Sequence, residues 1–204
     1  MATRAKVYER RQEPPRLKIT QRDLQILGMV EAFRFVSGDQ IERLLFSQGQ
    51  KDDNRKTRCP ARLRNLFDNG LLGRVQWPFR SITLPMIYIL ERDGADLLAL
   101  QRGVERDQIR TISKREKRPV ISRSLLFLAH TLAVNDLRID VMLAVQRKGW
   151  EVSDWLNEYE LGREYAEIEF QGRRRRQAVQ PDAYFAIKAG DNKAHFFLEM
   201  DMET

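Results

Sequence analysis

The sequence predicts an α+β chain of two units. The first is helical and carries one β-hairpin; the second is an α/β unit in which a long helix precedes mostly antiparallel strands. Three observations carry this prediction. Residues 20–72 hold three amphipathic stretches with helical spacing, each opened by a capping residue and closed by glycine or a polar break. Residues 122–149 form a strongly apolar run of about seven helical turns, stopped by Gly149. Beyond Trp150 the chain breaks into short extended stretches. At 204 residues and 42% hydrophobic content, the chain can bury one large core or two small ones.

The first helix starts at Thr20, an N-cap followed by Asp23 in the first turn, and Leu24, Leu27 and Val30 give the buried stripe. Ser37-Gly-Asp39 breaks it, and Ser37 or Asp39 caps a short helix with Ile41, Leu44 and Leu45 facing inward. A third helix is expected over Arg55–Leu72, capped by Thr57, so that Pro60 falls in the first turn, where its missing N–H costs little. Leu63, Leu66 and Phe67 form its core face, and Asn69-Gly70 ends it. Val75 and Trp77, then Ile87 and Ile89, alternate as the arms of a hairpin around Pro78–Ser81, and Asp93-Gly94 leads into a short apolar helix. Three helices, a basic-tipped hairpin and a further helix are the order of a winged helix-turn-helix.

Charge separates the two units. The net charge is +7, but residues 1–80 hold 17 basic and 9 acidic side chains, and residues 81–204 hold 19 and 20. A basic N-terminal unit is the footprint of a polyanion binder. Arg55, Lys56, Arg58, Arg62 and Arg64 precede the first acid of the third helix, Asp68. With Leu63 and Leu66 inward, Arg58, Arg62 and Asn65 face out, where a helix in the major groove meets base edges and phosphates. Arg74 and Arg80 on the hairpin suit phosphate or minor-groove contact. The expected DNA-binding set is therefore Arg55, Lys56, Arg58, Arg62, Asn65, Arg74 and Arg80, with double-stranded DNA as partner. The competing reading is a solvated face of a protein-interaction module.

Other classes are excluded or disfavoured. No apolar run reaches the length of about 18 residues that a membrane span needs. The N-terminus lacks an apolar leader, and Cys59 is the lone cysteine, so neither an internal disulfide nor a cysteine zinc cage can form. A cytoplasmic protein is expected. His130, among apolar neighbours, reads as a packed residue rather than a ligand, and Asn135 and Asp136 as hydrogen-bonding groups in the helix packing.

In the second unit, Glu164–Phe170 alternates as a half-buried strand, Gly172–Gln177 reads as a charged turn, and PDAYFAI and AHFFLEMD read as strands of a hairpin. A long helix followed by strands, with Pro181-Asp182 on one and Glu199-x-Asp201 closing the next, resembles the PD-(D/E)xK nuclease superfamily. That resemblance implies a Mg²⁺ or Mn²⁺ site at Asp182 and Glu199, with Asp201 as an added ligand, because hard cations take converging carboxylates. Asp201 stands where the superfamily has its lysine and cannot supply a positive charge. No cofactor is expected unless a metal-dependent endonuclease or nickase is the correct reading.

Over residues 20–204 the chain also resembles the replication-relaxation family, through Thr57–Phe67, Ala129–Arg138, Pro181–Ile187 and Phe196–Thr204. The resemblance implies a DNA-binding accessory or regulatory protein of a plasmid or mobile element, with a catalytically silent nuclease-like unit used for assembly. The expected organisation is a flexible basic arm (1–19), a winged helix (20–102), a linker (103–121) and a nuclease-like domain (122–204). The nuclease-like fold continues past its Glu-x-Lys strand, so the stop at Thr204 implies a shortened domain or a sheet completed by a partner. The apolar long helix and an open sheet edge point to a homodimer.

Overall fold

The structure, a computed structural model, describes residues 8–46, 52–75, 85–112, 125–162, 164–170 and 173–202. It is α+β, with helices and antiparallel sheets. Two compact units emerge, Met1–Asn135 and Asp136–Thr204.

In the first unit α1 (Gln21–Phe33) begins in a capping box. The Thr20 hydroxyl accepts from the Asp23 amide, and the Asp23 carboxylate accepts from the Thr20 amide. β1 (Val36–Ser37) follows, and Ser37 repeats the device with Gln40 to open α2 (Gly38–Leu45). Ile41 is buried, whereas Leu44 and Leu45, expected inward, are only half-buried. α3 spans Asp52–Asp68, β2 Leu72–Val75, β3 Ile87–Leu90 and α4 Arg92–Arg102. β3 is the central strand, with β1 and β2 antiparallel on either side.

Two local expectations change. α3 starts at Asp52 rather than at Thr57, so Pro60 lies in the helix interior. Two acidic residues at its first two positions complement the positive end of the helix dipole and favour the earlier start. Pro60 then removes one intrahelical hydrogen bond. Asp93 and Gly94 lie inside α4 rather than before it. Gly94 sits against the chain leaving α3: a Cβ there would overlap the Leu71 carbonyl, whose oxygen also accepts from the Glu91 amide at 3.2 Å.

The core of this unit extends past the expected linker. Ile109 and Ile112 are buried, and Ile112 joins Phe35, Val75, Ile87, Ile89, Leu128 and Leu132 in one cluster. The last two come from α5 (Leu125–Arg147). Two buried side-chain amides add to the hold on α5: Gln40 Nε2 donates to the Leu132 carbonyl at 2.8 Å, and Asn135 Nδ2 to that of Phe35 at 2.7 Å. The division into two compact units falls within α5.

In the second unit, the remainder of α5 leads to β4 (Glu151–Asn157), β5 (Glu164–Phe170), β6 (Arg173–Val179), β7 (Ala183–Ala189) and β8 (Asn192–Leu198). β7 lies between β4 and β8, all antiparallel. Its Ala183, Phe185 and Ala186 are buried. The Phe185 ring stacks on Trp155 and on Phe196, each at 5.0 Å, and the Arg138 guanidinium covers Trp155 at 4.9 Å. β5 and β6 form a separate antiparallel pair. The arginine run expected as a turn is thus strand β6. Arginine is no strong strand former, but β5 opposite it supplies two glutamates and two apolar residues in register.

Candidate nucleic-acid interface

α3 buries Cys59, Leu63, Leu66 and Phe67 and exposes Arg58, Pro60 and Ala61. Arg58, Ala61 and half-buried Asn65 recur at helical spacing on the side opposite that core. Arg55 and Lys56 precede them in the same helix. Arg80 lies outside the described residues.

Arg62 has a different place. Its Nε and Nη2 donate to the two carboxylate oxygens of Asp23, a bidentate ion pair, and Nη2 also donates to the Lys18 carbonyl at 2.8 Å. Asp23 is wholly buried and also accepts from the Thr20 hydroxyl at 2.7 Å. Burial pushes the Asp23 carboxyl up, but hydrogen bonds from Arg62 and Thr20 outweigh it and leave the group below its ordinary value. The bonds to Asp23 push the Arg62 guanidinium up. One carboxylate thus caps α1 and anchors α3, and Arg62, expected to face DNA, is its part-exposed ion-pair partner.

Arg74 is likewise embedded. Its guanidinium lies 4.4 Å from the Phe67 ring and 5.4 Å from that of Tyr88, and its Nη2 reaches the Tyr88 hydroxyl at 3.3 Å. Arg10 and Arg64 also cover Phe67, at 5.4 and 5.5 Å. Beside them Asp68, with a fully buried side chain, accepts from Arg64 Nε at 2.8 Å and pairs with Arg11 Nε at 3.4 Å. Four guanidiniums therefore gather around one aromatic ring and one carboxylate at the C-terminal end of α3.

Two of those guanidiniums belong to the N-terminal arm. Arg10 donates to the carbonyls of Phe67 at 2.9 Å and Leu72 at 3.3 Å. The Arg11 amide donates to Asp68, Arg64 to the Glu9 carbonyl, and Asn69 to the Pro15 carbonyl. Residues 9–18, expected as part of a flexible arm, are bonded across the C-terminal half of α3. Arg58, Pro60 and Ala61 remain exposed. Arg10 and Arg11 were not among the expected contacts. Their one sequence signal is Asp68, a lone acid after a run of arginines.

Three carboxylates of the second unit, Asp182, Glu199 and Asp201, were expected as metal ligands. Asp182 precedes β7 and Glu199 follows β8, so both stand at one end of this hairpin. The Asp182 carboxylate, however, accepts from the Met200 amide at 2.6 Å, and its backbone bonds Leu198 and Glu158. Glu199 and Asp201 are exposed. Among the described residues, no three histidine, cysteine, aspartate or glutamate side chains are grouped to hold a metal ion. Among the described residues, no helix is long and apolar enough to cross a membrane.

The model of a family described as replication-relaxation matches residues 27–204. No curated protein and no solved structure matches the chain.

Proposed function

The chain belongs to the replication-relaxation family, and on that premise we propose that it is a sequence-specific, double-stranded-DNA-binding accessory protein of a plasmid or mobile element. Its first unit is a winged helix with α3 as the reading helix. The supporting order is helix, short strand, two helices and a β2–β3 hairpin, with β1 closing the sheet. The observation that carries the reading is the outward face of α3 at Arg58, Ala61 and Asn65, with Arg55 and Lys56 one turn earlier. An arginine and an asparagine are the side chains that pair bidentately with guanine and adenine in the major groove, and a small residue between them permits close approach. The arginines around Phe67 supply phosphate attraction that fixes position without reading sequence.

The test is a titration of DNA from upstream of the coding sequence, with unrelated competitor and with or without Mg²⁺ and Mn²⁺. A retarded, intact band that survives competitor is expected. Complete displacement by an equal mass of unrelated DNA would overturn the reading. Metal-dependent cutting that disappears in Asp182→Ala would establish the endonuclease alternative. Without it, the second unit serves assembly, as a homodimer whose mass in solution at micromolar concentration is twice that of the chain.

A further inference from the structure

We propose that the β5–β6 ribbon is a second duplex-DNA contact, gripping the phosphate backbone through Arg173 and Arg175. This rests on the reading of the chain as a DNA binder, but it concerns a different unit and a different kind of contact.

Charge placement is the first ground. Residues 136–204 hold 10 basic and 14 acidic side chains, so this unit repels a polyanion overall. Four of those ten basic residues stand consecutively at Arg173–Arg176, and Arg174, Arg175 and Arg176 are exposed. Shape is the second ground. Among the described residues β5 pairs with β6 alone, while β4, β7 and β8 form their own sheet. A two-stranded antiparallel ribbon is an element that the major groove admits.

Register supplies the residue-level argument. Arg174 stands in register with Glu169 and Arg176 with Glu167, so an acidic residue is paired with each of these positions across the ribbon. Arg173 and Arg175 stand instead opposite Phe170 and Ile168. A hairpin that needed charge only for solubility would be served by the two matched pairs. The surplus lies at alternate positions, hence on one face of the ribbon, about 6.7 Å apart. Positive charges at such positions attract phosphates and release their counterions.

The experiment measures duplex affinity by fluorescence anisotropy across a salt series. It uses the upstream DNA and an unrelated duplex of equal length, with the full chain and four variants: Arg58→Ala, Arg173→Gln/Arg175→Gln, Arg174→Gln/Arg176→Gln and Arg173→Lys/Arg175→Lys. The Arg173/Arg175 glutamine pair is expected to weaken both duplexes by the same factor. It should also flatten log K against log salt by about 1.8, the release expected for two phosphates. The Arg174/Arg176 pair should change the slope less, and the lysine pair should keep it. An unchanged slope in the Arg173/Arg175 glutamine pair overturns the proposal. So does an equal loss in the lysine pair, since charge is then not what was lost. If the slope is unchanged while sequence preference depends on Arg58, the ribbon fails and the α3 reading stands. If the wild type prefers neither duplex but the slope still falls, the α3 reading fails and the ribbon stands. Absence of duplex binding by the wild type overturns both.

Discussion

Arg58 and Arg62 lie one helical turn apart and do different work. Arg62→Ala leaves Asp23 buried without its bidentate partner, and removing one member of such a pair costs about 3 kcal/mol. Arg58 is exposed, so Arg58→Ala should shift stability by less than about 0.5 kcal/mol while lowering DNA affinity by about 1–3 kcal/mol if it reads a base edge. Urea unfolding beside a binding titration separates the two effects, and a reversed pattern would exchange their roles. Asp23 adds a pH dependence. Its folded pKa is depressed, so its contribution is fully present above the unfolded value near 3.8 and is lost as pH falls through the folded value. The stability gap between wild type and Asp23→Asn should therefore narrow between pH 5 and pH 2.5; a constant gap would refute the assignment. Cys59 makes a third residue-scale case. Burial, with Glu42 and Asp39 nearby, pushes its thiol up to about 12, so the native protein at pH 8 carries a neutral, covered thiol. Alkylation should be negligible until denaturant unfolds the chain, and rapid labelling of the native state would contradict the packing.

At the scale of elements, what was legible in the sequence is what local chemistry encodes. The Thr20 and Ser37 caps, the Asn69-Gly70 ending, the stop of α5 before Gly149 and the hairpin of β7 and β8 each depend on neighbours within a few residues. Two helix starts were misjudged locally, at Asp52 and Arg92, but the larger misses involve partners distant in sequence. Asp23 reads locally as a helix cap, and nothing near Arg62 reveals that the same carboxylate waits 39 residues away. The arginine run of β6 reads as a turn until β5 is laid against it. The docking of the arm on α3 rests on backbone carbonyls, which every residue has. Two element-scale predictions follow from these contacts. Gly94→Ala forces a methyl group into the Leu71 carbonyl and should cost about 2 kcal/mol, measurable as a lowered urea midpoint. Deleting residues 1–18 strips Arg10 and Arg11 from the buried Phe67–Asp68 end of α3, and the lost hydrogen bonds should cost about 2 kcal/mol or more. A deletion variant with an unchanged midpoint would show that the arm contributes nothing to α3.

At the scale of the molecule, the decisive feature is where the first unit ends. Sequence reading placed its boundary in the polar stretch 103–121, because charge and low hydropathy mark linkers. That stretch nevertheless contributes Ile109 and Ile112 to the core, and α5 contributes Leu128 and Leu132. The side-chain amides of Gln40 and Asn135 are buried and bonded across the same join, one donating to α5 and the other donated by it. Cutting after residue 102 would expose Phe35, Val75, Ile87 and Ile89 on one side and leave the Gln40 amide buried without its acceptor. Each lost apolar partner is worth about 1.5–3 kcal/mol of burial, and an orphaned buried amide costs about 1–3 kcal/mol more. Those terms together rival the whole stability of a small domain, about 5–15 kcal/mol. A fragment of residues 8–102 should therefore lack a cooperative thermal transition and bind a hydrophobic dye. One of residues 8–147, which keeps all of α5, should melt cooperatively and retain DNA binding through α3. Cooperative folding of the shorter fragment would place the end of the reading unit at residue 102 and make α5 dispensable to it.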